Sequence, residues 1–215
     1  MPPLTPDTSY HIFNHANGFE NIFRIEGNFN YFLEKYRLYI SPIAETYAYC
    51  LMPNHFHLVV RIRKREAIEA LIQNNSNNFS KVSNFGKVVT TINDSAIEKY
   101  LSKQFANLFS CYTQSFNKVY HRRGSLFVKN FKREPISNKA HFLNEIVYTH
   151  RNPIHHGFCE NYEDWEYCSY HEIVEGASDL TEISKLLKIT DGMENFKELH
   201  QLALDNFTPN NELEI

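Results

Sequence analysis

The run Tyr49-Cys50-Leu51-Met52-Pro53-Asn54-His55-Phe56-His57-Leu58-Val59-Val60-Arg61 limits what this chain can fold into more than any other stretch. Its apolar, β-branched end reads as a strand, and Met-Pro-Asn reads as the turn that leads into it. Successive side chains on a strand alternate faces. His55 and His57 therefore project side by side, while Phe56 and Leu58 face a core. Two neutral imidazoles on one face of a rigid strand form half of a site for a divalent metal. The plainer reading is a strand with two exposed or hydrogen-bonded histidines, and the pair alone does not decide between the two.

Around this strand the chain reads as α+β. Residues 8–14 alternate weakly and form a first strand. Asn28 caps a helix over 29–40, with Phe29, Phe32, Leu33 and Tyr36 at helical spacing, and Pro42 stops it. Residues 43–51 are a second strand. The short link to the third, 55–63, implies an antiparallel pair. A short helix over 66–73 leads into a stretch rich in Asn, Ser and Thr, read as a flexible insertion over 74–94. Ser95 caps a long helix to about Tyr120, whose apolar stripe marks core packing. A basic turn ends at Gly124. Residues 125–133 form a fourth strand, and a helix over 139–149 closes at Asn152-Pro153.

This order is the split βαβ pattern of a ferredoxin-like antiparallel sheet, with helices expected on one face and chemistry on the other. Residues 162–173, with the sole Trp165, read as an aromatic strap. Residues 179–187 and 193–204 form two short amphipathic helices, and the last ten residues fray. The expected division is a domain over 1–173 and an acidic helical extension over 174–215.

Charge follows that division. Residues 1–159 hold 19 Lys and Arg against 11 Asp and Glu, a net of +8, whereas residues 160–215 hold 3 against 14, a net of −11. A basic body suits a polyanion partner. At 42% hydrophobic residues the chain can build a real core, which excludes wholesale disorder. No apolar run approaches the ~20 residues of a membrane helix. Residues 1–6 lack the basic start and apolar centre of a secretory leader. Cys50, Cys111, Cys159 and Cys168 fit neither a disulfide framework nor a zinc spacing, so a cytoplasmic setting is expected.

The second half of a site lies in the helix over 139–149. It holds Tyr148, and Asn152 follows four residues later, on the same helical face. A tyrosine phenol attacks a phosphodiester if a metal neutralises the phosphate and the phenol gives up its proton. Asn152 offers an amide oxygen as a third ligand beside His55 and His57, a set that suits octahedral Mg²⁺ or Mn²⁺. Against this, any one of 13 tyrosines serves a core by default, and Asn before Pro is a common helix end.

His55-Phe56-His57 resembles the HUH motif, two histidines around a hydrophobic residue. Tyr148-Thr149-His150-Arg151-Asn152-Pro153 resembles the tyrosine helix of single-tyrosine HUH transposases, and most nearly their REP-associated (IS200-like) branch. Arg122-Arg123-Gly124-Ser125-Leu126-Phe127 and Asp164-Trp165 with Ser169-Tyr170 are similar to further blocks of that family, in family order over roughly residues 8–173. Relatives often read Asn-Arg-Gly after the first strand, where this chain has Asn14-His15-Ala16.

The resemblance implies a nuclease and strand transferase that cuts and rejoins single-stranded DNA beside a hairpin. Tyr148 would be the nucleophile, linked to a 5′ phosphate, and His55, His57 and Asn152 the metal set. Relatives include homodimers that share active sites. Arg61, Arg63, Arg122, Arg123, Lys132 and Arg133 are the expected DNA contacts, with salt-dependent binding. Two other readings stay open: a domesticated hairpin-DNA-binding protein without transposition, and a metal-dependent phosphoesterase acting through water.

Overall fold

The computed structural model describes residues 1–80 and 92–206, with side chains described except at 75–80. Four antiparallel strands form the sheet: β1 (Ser9–His15), β2 (Ala44–Met52), β3 (His55–Ile62) and β4 (Lys132–Pro135). Their order is β2-β3-β1-β4, which is the expected ferredoxin-like arrangement.

The alternation of β3 divides the protein into two packed layers. Phe56, Leu58, Val60 and Ile62 point into a large core closed by α1 (Glu26–Tyr39) and α3 (Asp94–Val119). Phe32, Tyr36, Leu101, Phe105, Leu108 and Tyr112 supply the helical side of it. The helix starts shift slightly from expectation. Asn93 caps α3 by accepting from Ala96 N at 2.9 Å. Asn28 sits inside the first turn of α1, where its Oδ1 takes the N–H groups of Arg24 and Ile25.

The other face is not bare. Expecting helices on one face holds for α1 and α3, but α4 (Lys139–His155) crosses the second face over β2 and β3. Phe142 and Ile146 of α4 join Ala48, Cys50, Met52 and Val59 in a second core. The helices α5 (Ser169–Glu175), α6 (Ile183–Ile189) and α7 (Met193–Asp205) complete it with Ile173, Leu186 and Phe196. A tyrosine carried over a histidine strand needs such a covering helix.

The strap and the acidic segment also cover the outer edge of β2. Trp165 Nε1 donates to Leu51 O at 2.9 Å, and Leu51 N donates to Tyr167 O at 2.9 Å. Tyr49 N donates to Ser169 Oγ, and Glu182 N to Thr46 O. An edge strand left open presents unpaired backbone groups, and this one is protected by its own chain.

Three further local expectations are corrected. The helix α2 (Arg65–Ser80) runs into the Asn-rich stretch, while residues 81–91 lie outside the described residues, as do 207–215. Residues 125–131 do not form regular strand. Leu126 and Val128 bond to Asn17 and His15, but Asn130 is left-handed (φ 66°), so the ladder with β1 restarts only at Lys132. Asn152-Pro153 does not end α4. Pro153 lies in the last turn, where its missing N–H forfeits a single bond. The stop comes at Gly157 (φ 71°), with Gly157 N bonding Ile154 O and Phe158 N bonding Pro153 O, a Schellman closure.

Candidate active site

Register builds the site from β1 and β3. His15 faces His55, Phe13 faces His57 and His11 faces Val59, so six residues of two strands share the α4 face. His15 stacks on His55 with centroids 4.7 Å apart, and His11 stacks on His57 at 5.1 Å. Both histidines of the motif are 1% exposed.

The helix α4 brings the tyrosine to the same place. Tyr148 is half-buried, with its ring edge-on to His57 at 5.4 Å and to His11 at 5.7 Å. Of the motif's two histidines, it is His57 that the tyrosine ring meets. One turn on, Asn152 is buried and its Nδ2 donates to Tyr148 O at 3.0 Å, which commits the amide nitrogen and leaves Oδ1 as the open atom. The spacing of four residues therefore does two things: it aligns the side chains and ties one to the other's backbone.

Three buried polar atoms at this point have no hydrogen-bond partner: His55 Nε2, His57 Nε2 and Asn152 Oδ1. Buried polar atoms are normally satisfied, so three together indicate a missing partner. Among the described residues no three His, Cys, Asp or Glu side chains converge as a metal site. A divalent ion here would need the Asn152 amide as its third protein donor, and the orphaned atoms fit that demand.

Both imidazoles are electrically prepared for such a role. Burial pushes the His55 pKa down to about 3, with His15 and His156 adding to the depression and the neighbouring Asn152 opposing it. Burial also holds His57 well below the usual histidine range, helped by His11 and His55. Both are neutral at pH 7, the form in which histidine binds metals.

The outer nitrogens are held as well. His55 Nδ1 donates to Asn54 Oδ1 at 2.7 Å. His57 Nδ1 lies 2.9 Å from His11 Nε2, and His11 Nδ1 lies 2.9 Å from Glu145 Oε2. Glu145 also contacts His141 at 3.3 Å. Burial acts to raise the Glu145 carboxyl, but the two histidines outweigh it and hold the carboxyl below its usual value. His11, His15, Asn54 and Glu145 were not singled out from the sequence. The period-2 spacing of His11 and His15 carried the signal for two of them. Glu145 was one turn before Tyr148, but its partner lies on another strand.

The expected DNA contacts separate. Lys132 is exposed and sits opposite Phe13, in the cross-sheet row that contains His57. Arg123 is exposed, and neither it nor Lys132 has an ion-pair partner among the described residues. Arg61 points to the α4 face but pairs with Asp7 at 2.9 Å. Arg63 donates to Ser41 O. Arg122 donates to Asn117 Oδ1 at 2.7 Å and pairs with Glu20. Arg133 faces the opposite side, bonded to Pro2 O and Ser102 and paired with Glu98. His150 is buried, with its nitrogens bonded to His200 and Ser169 at 2.8 Å each, so it is closed to phosphate.

No family model matches the chain. A curated protein of Haemophilus influenzae named as a REP-associated tyrosine transposase is 26% identical over 132 residues, 60% of this chain. The match spans 61% of that relative's length. A solved structure of a REP-associated tyrosine transposase bound to a REP hairpin superposes with a TM-score of 0.51 at 16% identity, covering 86% of this chain and 93% of that one. Among the described residues no helix is long and apolar enough to cross a membrane. In sequence over this aligned part, and in fold over most of its length, the chain resembles the REP-associated tyrosine transposases.

Proposed function

We propose that this protein cuts and rejoins single-stranded DNA at hairpin-bearing sites, with Tyr148 as the nucleophile. The observation that carries the reading is the placement of Tyr148 against His57 of its own chain, beside three orphaned buried acceptor positions. The likeness to a transposase bound to a REP hairpin supports the choice of substrate.

His55 Nε2, His57 Nε2 and Asn152 Oδ1 would hold Mg²⁺ or Mn²⁺, which when bound supplies Lewis-acid neutralisation of a phosphate oxygen. The Tyr148 phenol oxygen bonds to phosphorus as the bond from phosphorus to the 3′ oxygen breaks. The phenol proton is released, the departing 3′ oxygen takes up a proton, and the 5′ phosphate stays on Tyr148. Rejoining is the reverse, with a 3′ hydroxyl displacing the phenol, so the cycle needs no oxidant, reductant or nucleotide. Asn152 anchors the turn of α4 that carries the phenol. Lys132 and Arg123 are the open cations for the DNA backbone.

The test is a set of hairpin-bearing single strands incubated with the protein and Mg²⁺ or Mn²⁺, resolved on a denaturing gel. A covalent protein–DNA adduct is expected, and Tyr148→Phe abolishes it while hairpin binding persists. Hydrolysis that survives Tyr148→Phe would replace this reading with a metal phosphoesterase. Binding with no cleavage of any strand would replace it with a hairpin-binding protein.

A further inference from the structure

A histidine ring has two nitrogens, and a metal takes only one that bears no proton. Which one is bare depends on what the other nitrogen touches. For His55 the answer is local. Asn54 Oδ1 only accepts, so His55 carries its proton on Nδ1 and leaves Nε2 bare.

For His57 the answer depends on two other elements. Glu145 Oε2 of α4 is buried, makes no other hydrogen bond and lies 2.9 Å from His11 Nδ1 on β1; because a carboxylate only accepts, this contact calls for the His11 proton at Nδ1. With its one proton on Nδ1, the His11 ring offers a lone pair at Nε2, and the 2.9 Å contact then calls for His57 to supply Nδ1–H. His57 Nε2 is left bare, buried and without a partner, pointing away from the relay. His11 is 5% exposed, too enclosed for water to substitute for either neighbour. Glu145 lies one turn before Tyr148 on α4, so one helix supplies the nucleophile, the amide ligand and the base of the relay.

We propose that His11, backed by Glu145, is a positioning residue that fixes His57 as the Nδ1–H tautomer and presents its Nε2 to the cation. The proposal rests on the metal reading above. Outer partners of this kind set ring orientation and ligand basicity, and their loss typically costs ~10–100-fold in metal affinity.

Two measurements on the full-length protein test it. Long-range ¹H–¹⁵N spectra of metal-free, histidine-labelled protein report the tautomer, and a Mn²⁺ titration followed by electron paramagnetic resonance reports affinity. The wild type is expected to show His57 as Nδ1–H. His11→Phe fills the space but accepts no proton, so the Nε2–H form should appear and Mn²⁺ affinity should fall ~10–100-fold. His11→Gln returns an acceptor oxygen and should recover much of that loss, which a purely packing role would not predict. If His11→Phe does not fold, Glu145→Leu removes the base of the relay and takes its place. An Nε2–H His57 in the wild type, or His11→Phe affinity within about twofold of wild type, overturns the proposal. A wild type that binds no Mn²⁺ overturns the metal reading instead, and the tautomer spectrum still judges the relay.

Discussion

Lowering the pH should unfold this protein well above the range in which carboxylates titrate. Four histidines are almost fully enclosed: His55, His57, His150 and His200. Burial drives His55 to about 3 and His200 to about 4, and holds His57 and His150 well below the ordinary 6.5. The folded state keeps all four neutral at mild acidity, while the unfolded chain takes up protons below 6.5. The unfolded state then binds more protons, so stability is full above neutral pH and falls as pH drops below 6.5. At pH 5.5 each such histidine costs about 1.4 kcal/mol relative to alkaline pH, and four cost about 6 kcal/mol. That is comparable with the whole stability of a typical domain, about 5–15 kcal/mol. Urea unfolding of the metal-free protein at constant ionic strength, from pH 8 to pH 5.5, reads this directly through the midpoint at unchanged slope. A stability that stays level to within about 1 kcal/mol across that range would refute the reasoning, because it would mean that the folded protein accommodates protonated histidines.

Two further outcomes test the placement of other residues. Lys132→Ala should weaken hairpin binding and lower its salt dependence by about one counterion, whereas Arg133→Ala should leave that dependence unchanged and cost about 1–3 kcal/mol of stability through its lost internal bonds. Fluorescence anisotropy at several salt concentrations, with urea unfolding beside it, separates them. Phe196→Ala in α7, at a position with no exposed surface, should cost about 3–5 kcal/mol. A loss below about 1 kcal/mol in urea unfolding would show that α7 is not part of the cooperative core.

The features that were legible in the chain are those written in a single element. The alternation in β3 assigned His55 and His57 to one face and Phe56 and Leu58 to the other, and the structure keeps that assignment. The i, i+4 spacing put Tyr148 and Asn152 on one side of one helix. The helix over 139–149 was legible too, but its end was not. Asn152-Pro153 looks like a stop, and only the Gly157 closure shows that the helix goes one turn further. The basic residues were legible as charges but not as contacts. Arg133 and Lys132 are adjacent in sequence and lie on opposite faces of β4, one tied to α3 and one open beside the site.

By itself the sequence determined the order of elements, the two faces of β3 and the residue types of the site, because side-chain periodicity is a property of one strand or one helix. Tertiary structure alone decided that α4 covers the histidine face, that the acidic segment seals the edge of β2, and that His11 and Glu145 stand behind His57. Those relations depend on register between strands and on the docking of helices from distant parts of the chain. The pairing His15↔His55 and Phe13↔His57 sets which imidazole meets which neighbour, and a shift of one residue would have turned His11 into the opposite core.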